Sequence, residues 1–358
     1  MSASQPRLLL FVGSYAEAGD PGVYTYEMDA ASGEINLLDQ ASGMKNPTFL
    51  GVNAERRKVY AISETTDGGE RIGEIVAFDV DPAGKLRELN RKLTIRPSSS
   101  HIQLDRSGQF AVVSGYHGGS VGLAELRADG TVGALVDERQ HEGQGADPVR
   151  QDRPHPHSVT FSADNRYALV ADLGLDRIVV YSFEPDSGRL VYRSEASTPP
   201  GAGPRHLAFH PNGQWLYSIN EVNSSLSLFH YEEATGALTL KDTVPTLPAG
   251  YVGENTTAEV AISADGRYLY GSNRGHDSLV QFAIDPKSGR LTLVEHVSSE
   301  GGHPRHFALT PDGQHLIAAN RDDNLLAVFT VAPDSGRLTF TGRTVSVSKP
   351  VCVKPVRF

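Results

Sequence analysis

Pro185-Asp186-Ser187-Gly188-Arg189-Leu190 returns as Asp285-Pro286-Lys287-Ser288-Gly289-Arg290-Leu291 and again as Pro333-Asp334-Ser335-Gly336-Arg337-Leu338. Each copy is a glycine-containing turn followed by a strand-forming apolar residue. Looser copies centre on Gly33, Gly84, Gly130 and Gly236, so seven turn glycines lie 46 to 58 residues apart. A period near ~50 residues, filled with strands and turns, is the mark of small sheets repeated around an axis.

Half a repeat away lies a second turn, seen in Ala163-Asp164-Asn165, Pro211-Asn212-Gly213, Ala264-Asp265-Gly266 and Pro311-Asp312-Gly313, and more weakly at 105–108 and 54–57. Asp, Asn and Gly supply the positive φ that tight turns need. Each such turn joins two apolar strands, as in Leu207-Ala208-Phe209 and Trp215-Leu216-Tyr217-Ser218-Ile219. A third strand, Leu226-Ser227-Leu228-Phe229, leads to the first kind of turn, and a fourth begins at Leu238. The prediction is an all-β, seven-bladed β-propeller with four antiparallel strands per blade, forming a single domain over 1–358. Only six copies of the second turn stand against seven of the first. Pro350-Val351-Cys352-Val353 reads as a first strand and Leu8–Tyr15 as a second. The two ends of the chain therefore complete one blade and close the ring, which leaves no long exposed edge. WD40 blades are shorter, ~40–45 residues, and carry a Trp-Asp pair, whereas Trp215 is followed by Leu216. Kelch repeats match the period but carry a double glycine in each unit, which these seven units do not share.

Charge and composition narrow the partners. The net charge is −10 and no Lys/Arg-rich run offsets it, which argues against nucleic acid. No apolar run approaches the ~18 residues of a membrane span. Leu8-Leu9-Leu10-Phe11-Val12 is too short for a signal core and reads as a strand. The single cysteine, Cys352, excludes an intrachain disulfide and multi-thiolate metal sites, and a reducing cytoplasm is the expected location. The residues leave the oligomeric state open.

First strands line a propeller's channel, and each starts beside the end of its antiparallel second strand. Polar residues at these two places converge on one rim. Aligned by their turns, the units place Phe49, His101, Ser158, His206, Glu259, His306 and Cys352 just before the apolar stretch. One residue earlier stand Thr48, Ser100, His157, Arg205, Ala258, Arg305 and Val351. The second strands end on Tyr15, Glu64, Tyr116, Leu173, Glu221, Arg274 and Arg321. His, Arg and Glu gathered at one mouth suit an anionic substrate and an acid–base step; the bland alternative is that single members only hydrogen-bond neighbouring blades. His155-Pro156-His157 suggests a metal, but no third ligand stands at a characteristic spacing, and neither metal nor cofactor is expected. Cys352, with no motif around it, reads as a buried structural thiol. Two segments, Glu142–Pro154 and Pro245–Asn255, exceed what a blade requires and precede first strands. Both are expected to overhang the rim as lids, with Arg150 and Arg153 within reach of a phosphate or carboxylate.

The stretches Pro154-His155-Pro156-His157-Ser158-Val159, Gly203-Pro204-Arg205-His206-Leu207-Ala208-Phe209-His210-Pro211-Asn212-Gly213, Ser218-Ile219-Asn220-Glu221, Ser272-Asn273-Arg274-Gly275-His276-Asp277-Ser278 and Gly302-His303-Pro304-Arg305-His306-Phe307 resemble the lactonase family of seven-bladed propellers. That family includes bacterial propeller-type 6-phosphogluconolactonases and fungal 3-carboxy-cis,cis-muconate lactonizing enzymes. The resemblance spans essentially the whole chain and is densest from His155 to Phe329. Through its lactonizing branch it implies a catalytic set of one His, two Arg and one Glu, matched here by His157, Arg205, Arg274 and Glu221, and it implies no bound metal. The first three blades match more loosely, and the roles of Glu64, His101 and Tyr116 stay open.

The function expected from residues and resemblance together is hydrolysis of an anionic sugar lactone, 6-phosphoglucono-δ-lactone first, without a cofactor. His157 is the expected general base, and Glu221 either orients it or is the base itself. Arg205 and Arg274 would hold developing negative charge or a phosphate. Substrate contacts are expected from His206, Arg305, His306, Glu259 and His101. The alternatives are a cycloisomerase acting on a carboxymuconate-like diacid and a non-catalytic propeller that binds a small anion or a protein partner.

Overall fold

The computed structural model describes residues 7–358. Seven four-stranded antiparallel sheets make up the described chain, and a single 3-10 turn at Leu173–Leu175 interrupts them. The sheets form a ring: each first strand touches the first strand of the next blade, and Pro350–Arg357 touches both Pro304–Leu309 and Leu50–Asn53. Six blades are continuous in sequence. The seventh is ordered Pro350–Arg357, Leu8–Ser14, Val23–Met28, Ile35–Ala41, so the predicted closure by the two chain ends is present. All seven residues of Leu8–Ser14 are buried, paired on one side with Pro350–Arg357 and on the other with Val23–Met28.

Burial falls from the axis outward. Second strands such as Trp215–Asn220 and His315–Asn320 are wholly buried, while fourth strands such as Ile35–Ala41 are half exposed. The turns that set the sequence period hold adjacent blades together. All seven of their glycines have positive φ, where a Cβ is penalised. At Gly289 the backbone lies so close to the preceding blade that an added Cβ would sit 2.6 Å from the Trp215 ring. From that same strand the Tyr217 hydroxyl donates to the Gly289 carbonyl at 2.6 Å. At Gly336 the pattern repeats, with a Cβ position 2.5 Å from Tyr268 and a 2.7 Å bond from the Tyr270 hydroxyl.

Candidate active site

A break in strand pairing builds the rim. In the blades that start at Pro156, Pro204, Thr256, Pro304 and Pro350, the register of first against second strand slips near the start. Pro204 opposes Asn220 and His206 opposes Ile219, so Arg205 is the extra residue of a bulge. His157 and Arg305 occupy the same place in their blades. Regular pleating would send neighbouring side chains to opposite faces. The bulge re-aims one of them, so Arg205 reaches Glu221 while the adjacent His206 reaches Glu259.

His157, Glu221 and Arg305 border a cavity of about 280 Å³, lined also by Tyr15, Thr48, Glu64, Ser98, Ser99, Ser100, Tyr116 and His117. Two of the three expected rim columns contribute to it, those of Thr48, Ser100, His157 and Arg305 and of Tyr15, Glu64, Tyr116 and Glu221. Ser98, Ser99 and His117 were not singled out in the sequence, because they lie in irregular segments with no counterpart in other blades.

Glu221 is the electrostatic hub. One carboxylate oxygen takes Arg205 Nε at 3.0 Å and Arg274 Nη2 at 2.8 Å, and the other is bonded by Arg150. Burial alone would raise the Glu221 pKa, but Arg274, Arg205 and Arg150 outweigh it and hold the carboxyl well below its usual range. Arg205 also donates to the Ala258 carbonyl at 2.6 Å, and Arg274 to that of Thr257. Burial, with Arg274 and Arg305 nearby, lowers Arg205 to about 9, which still leaves it charged at neutral pH. Both Glu221 oxygens are taken by guanidinium groups, and neither bonds His157. Arg205 and Arg274 are occupied by Glu221 and backbone carbonyls.

His157 lines the cavity, and its Nδ1 has no hydrogen-bond partner among the described residues. Burial first, then Arg205 and His206, push its pKa well below the ordinary value; it is a neutral imidazole at pH 7. Arg305 is the one arginine among the cavity-lining residues. Its guanidinium lies 5.7 Å over the Tyr15 ring, with no carboxylate partner among the described residues.

His101, His206, Glu259 and His306 do not line the cavity. The rings of Phe49, His101, His206 and His306, from four different blades, meet at centroid distances of 4.1 to 5.8 Å, so they fill the channel. Glu259 takes His206 Nδ1 and His306 Nε2, each at 3.0 Å. Burial lowers the His306 pKa to about 3. Buried, and with His206 and His306 both bonded to Glu259, these four are poorly placed to touch a ligand in the cavity. Cys352 is also buried, and burial raises its thiol to about 11.

The remaining candidates sort by position. His155 stacks on Tyr116 at 4.4 Å and bonds the Tyr116 carbonyl and Asp152, so it does not pair with His157 around an ion. The 142–154 segment does reach the site, through Arg150, whereas Arg153 pairs with Asp152 and is exposed. The 245–255 segment does not line the cavity; Asn255 instead ties Ser224 and His276. Beside the cavity, and sharing Tyr15 with it, a second recess carries Arg321 and Lys349.

Comparison with known proteins agrees with this fold. The chain is 34% identical over 345 residues to the 6-phosphogluconolactonase of Bacillus subtilis, covering 96% of this chain and 97% of that one. A periplasmic gluconolactonase of Pseudomonas aeruginosa superposes with a TM-score of 0.91 at 33% identity, over 98% of this chain and 99% of the other. A protein from Lactobacillus plantarum gives 0.90 at 31% identity over 98% and 99%. Residues 9–355 match the family described as Lactonase, 7-bladed beta-propeller. With that match running through all seven blades, the chain belongs to the lactonase family of seven-bladed β-propellers.

Proposed function

We propose that the cavity hydrolyses an anionic sugar lactone, with 6-phosphoglucono-δ-lactone as the substrate. The observation that carries this reading is an unpartnered guanidinium, Arg305, lining the same small cavity as a neutral imidazole, His157. Relatives named 6-phosphogluconolactonase and gluconolactonase support it. Water adds to the lactone carbonyl as His157 takes its proton, Arg305 stabilises the tetrahedral oxyanion, and the same proton goes to the departing ring oxygen. Glu221 keeps Arg150, Arg205 and Arg274 in place, and their surplus positive charge attracts an anion to an otherwise acidic protein. Binding that anion offsets the cationic field on His157 and so raises its basicity when a substrate is present. In the adjoining recess Arg321 is already paired with Asp322 at 2.6 Å, and Lys349 suits the phosphate of a 6-phospho substrate. A cytoplasmic site of action fits the single free thiol, and cell fractionation tests it against the periplasmic location in the Pseudomonas relative's name.

The test is acid release from fresh 6-phosphoglucono-δ-lactone above the spontaneous rate. His157→Ala and Arg305→Ala are each expected to lower turnover by about 10²-fold, the scale for losing a positioned base or an oxyanion donor. Turnover within threefold of wild type in either folded variant removes that residue from the mechanism. No acceleration by the wild-type protein removes the assigned substrate.

A further inference from the structure

The cavity has two unlike sides. Arg305 and the arginine-bound Glu221 come from the blades that start at Pro304 and Pro204. Glu64 hangs from the blade that starts at Leu50, three blades away from that of Glu221 in a ring of seven. Around it the lining is hydroxylic: Thr48, Ser98, Ser99 and Ser100.

The two carboxylates differ in what is left to them. Glu221 is filled by three guanidinium groups. Glu64 receives the Asn46 amide at 3.3 Å and faces the half-exposed Arg71 guanidinium at 3.7 Å. Its side chain is 18% exposed and lines the cavity. A carboxylate offers about four lone-pair positions, so Glu64 keeps acceptor capacity directed at whatever fills the space. A ring bearing hydroxyl groups satisfies that capacity with charge-assisted hydrogen bonds. A second carboxylate on the ligand meets like charge there instead.

Resting on the lactonase reading, we infer that Glu64 is the specificity residue of this site, selecting lactones with free ring hydroxyls over unsubstituted or carboxylate-bearing ones. The carbonyl then lies toward Arg305, with the ring hydroxyls toward Glu64. The geometry also gives a reason for the hydroxyl-rich lining, which an acid–base step alone does not require.

The experiment compares kcat/KM for D-glucono-δ-lactone with that for δ-valerolactone, which lacks the hydroxyls, in wild type, Glu64→Gln and Glu64→Asp. Glu64→Gln is expected to lower the glucono-to-valero ratio by about 10- to 100-fold, the range for a hydrogen bond to a charged group, and Glu64→Asp by less. An unchanged ratio, whether both rates fall together or neither moves, overturns the inference. Should Glu64→Gln fail to fold, Glu64→Asp decides on the same ratio, with a threefold fall as its threshold. Wild type that hydrolyses neither lactone nor its 6-phosphate overturns the lactonase reading itself, a result distinct from an unchanged ratio in active enzyme.

Discussion

At the scale of single residues, the site is governed by which charges are already neutralised. Glu221 draws three arginines inward, and an ion cluster this buried persists because each member is hydrogen-bonded as well as paired. The histidines of the channel are kept neutral by burial, and this makes stability depend on pH. His306 titrates near ~6.5 when unfolded but at about 3 when folded. Its folded value is depressed, so its contribution is complete above ~6.5 and lost as pH falls toward about 3. His101, His157 and His206 are shifted in the same direction. Glu221 is depressed too, so its share survives above the unfolded carboxylate value of ~4.3 and is lost below it. Calorimetry from pH 8 to 4 is expected to show a melting temperature that starts to fall near pH 6.5 and steepens below about 4.5. A flat profile from pH 8 to 5 contradicts the neutral-histidine channel.

At the scale of elements, the turns carry more than a change of direction. Gly289 has φ of +73° and packs on Trp215, while Gly342 has φ of +77° with nothing within 4 Å of its Cβ position. Gly342→Ala is therefore expected to cost only the left-handed penalty, about 1–2 kcal/mol, and Gly289→Ala at least 1 kcal/mol more, from overpacking against the indole. Urea unfolding of both variants measures the difference, and equal losses mean the contact with Trp215 does not matter. The same elements explain what the sequence disclosed. Positive φ favours glycine, so the seven turns were visible as letters, and the blade count and the three rim columns came with them. The bulges were not visible, because an extra residue such as Arg205 carries no compositional mark. For that reason two adjacent columns were both assigned to the mouth, when His206, Glu259 and His306 belong to the channel below it. Nor did the letters show that Arg150, 71 residues from Glu221 in sequence, completes its coordination, since loop closure of that kind depends on tertiary packing.

At the scale of the molecule, closure of the ring rests on one strand pairing. Pro350–Arg357 covers the edge of Leu8–Ser14 and contacts the blades on both sides. Removing 350–358 uncovers a fully buried apolar strand, a template for edge-to-edge association. The truncated protein is expected to aggregate and to lose its single cooperative melt, as read by light scattering and calorimetry. A monomeric, sharply melting truncation shows that six sequence-continuous blades hold the ring without the seventh. The cavity depends on this closure as well, since Tyr15 at the end of the covered strand forms part of its wall.

That pairing also imposes an order on biosynthesis. Leu8–Ser14 leaves the ribosome long before Pro350–Arg357 does, and in between its apolar edge has no lasting partner. Blades continuous in sequence are free to form as they emerge, but the mouth that gathers groups from six of the seven blades is completed only with the last strand. A nascent chain is thus inert until it is nearly finished, and the cell meets this protein either as a whole ring or as material for its chaperones.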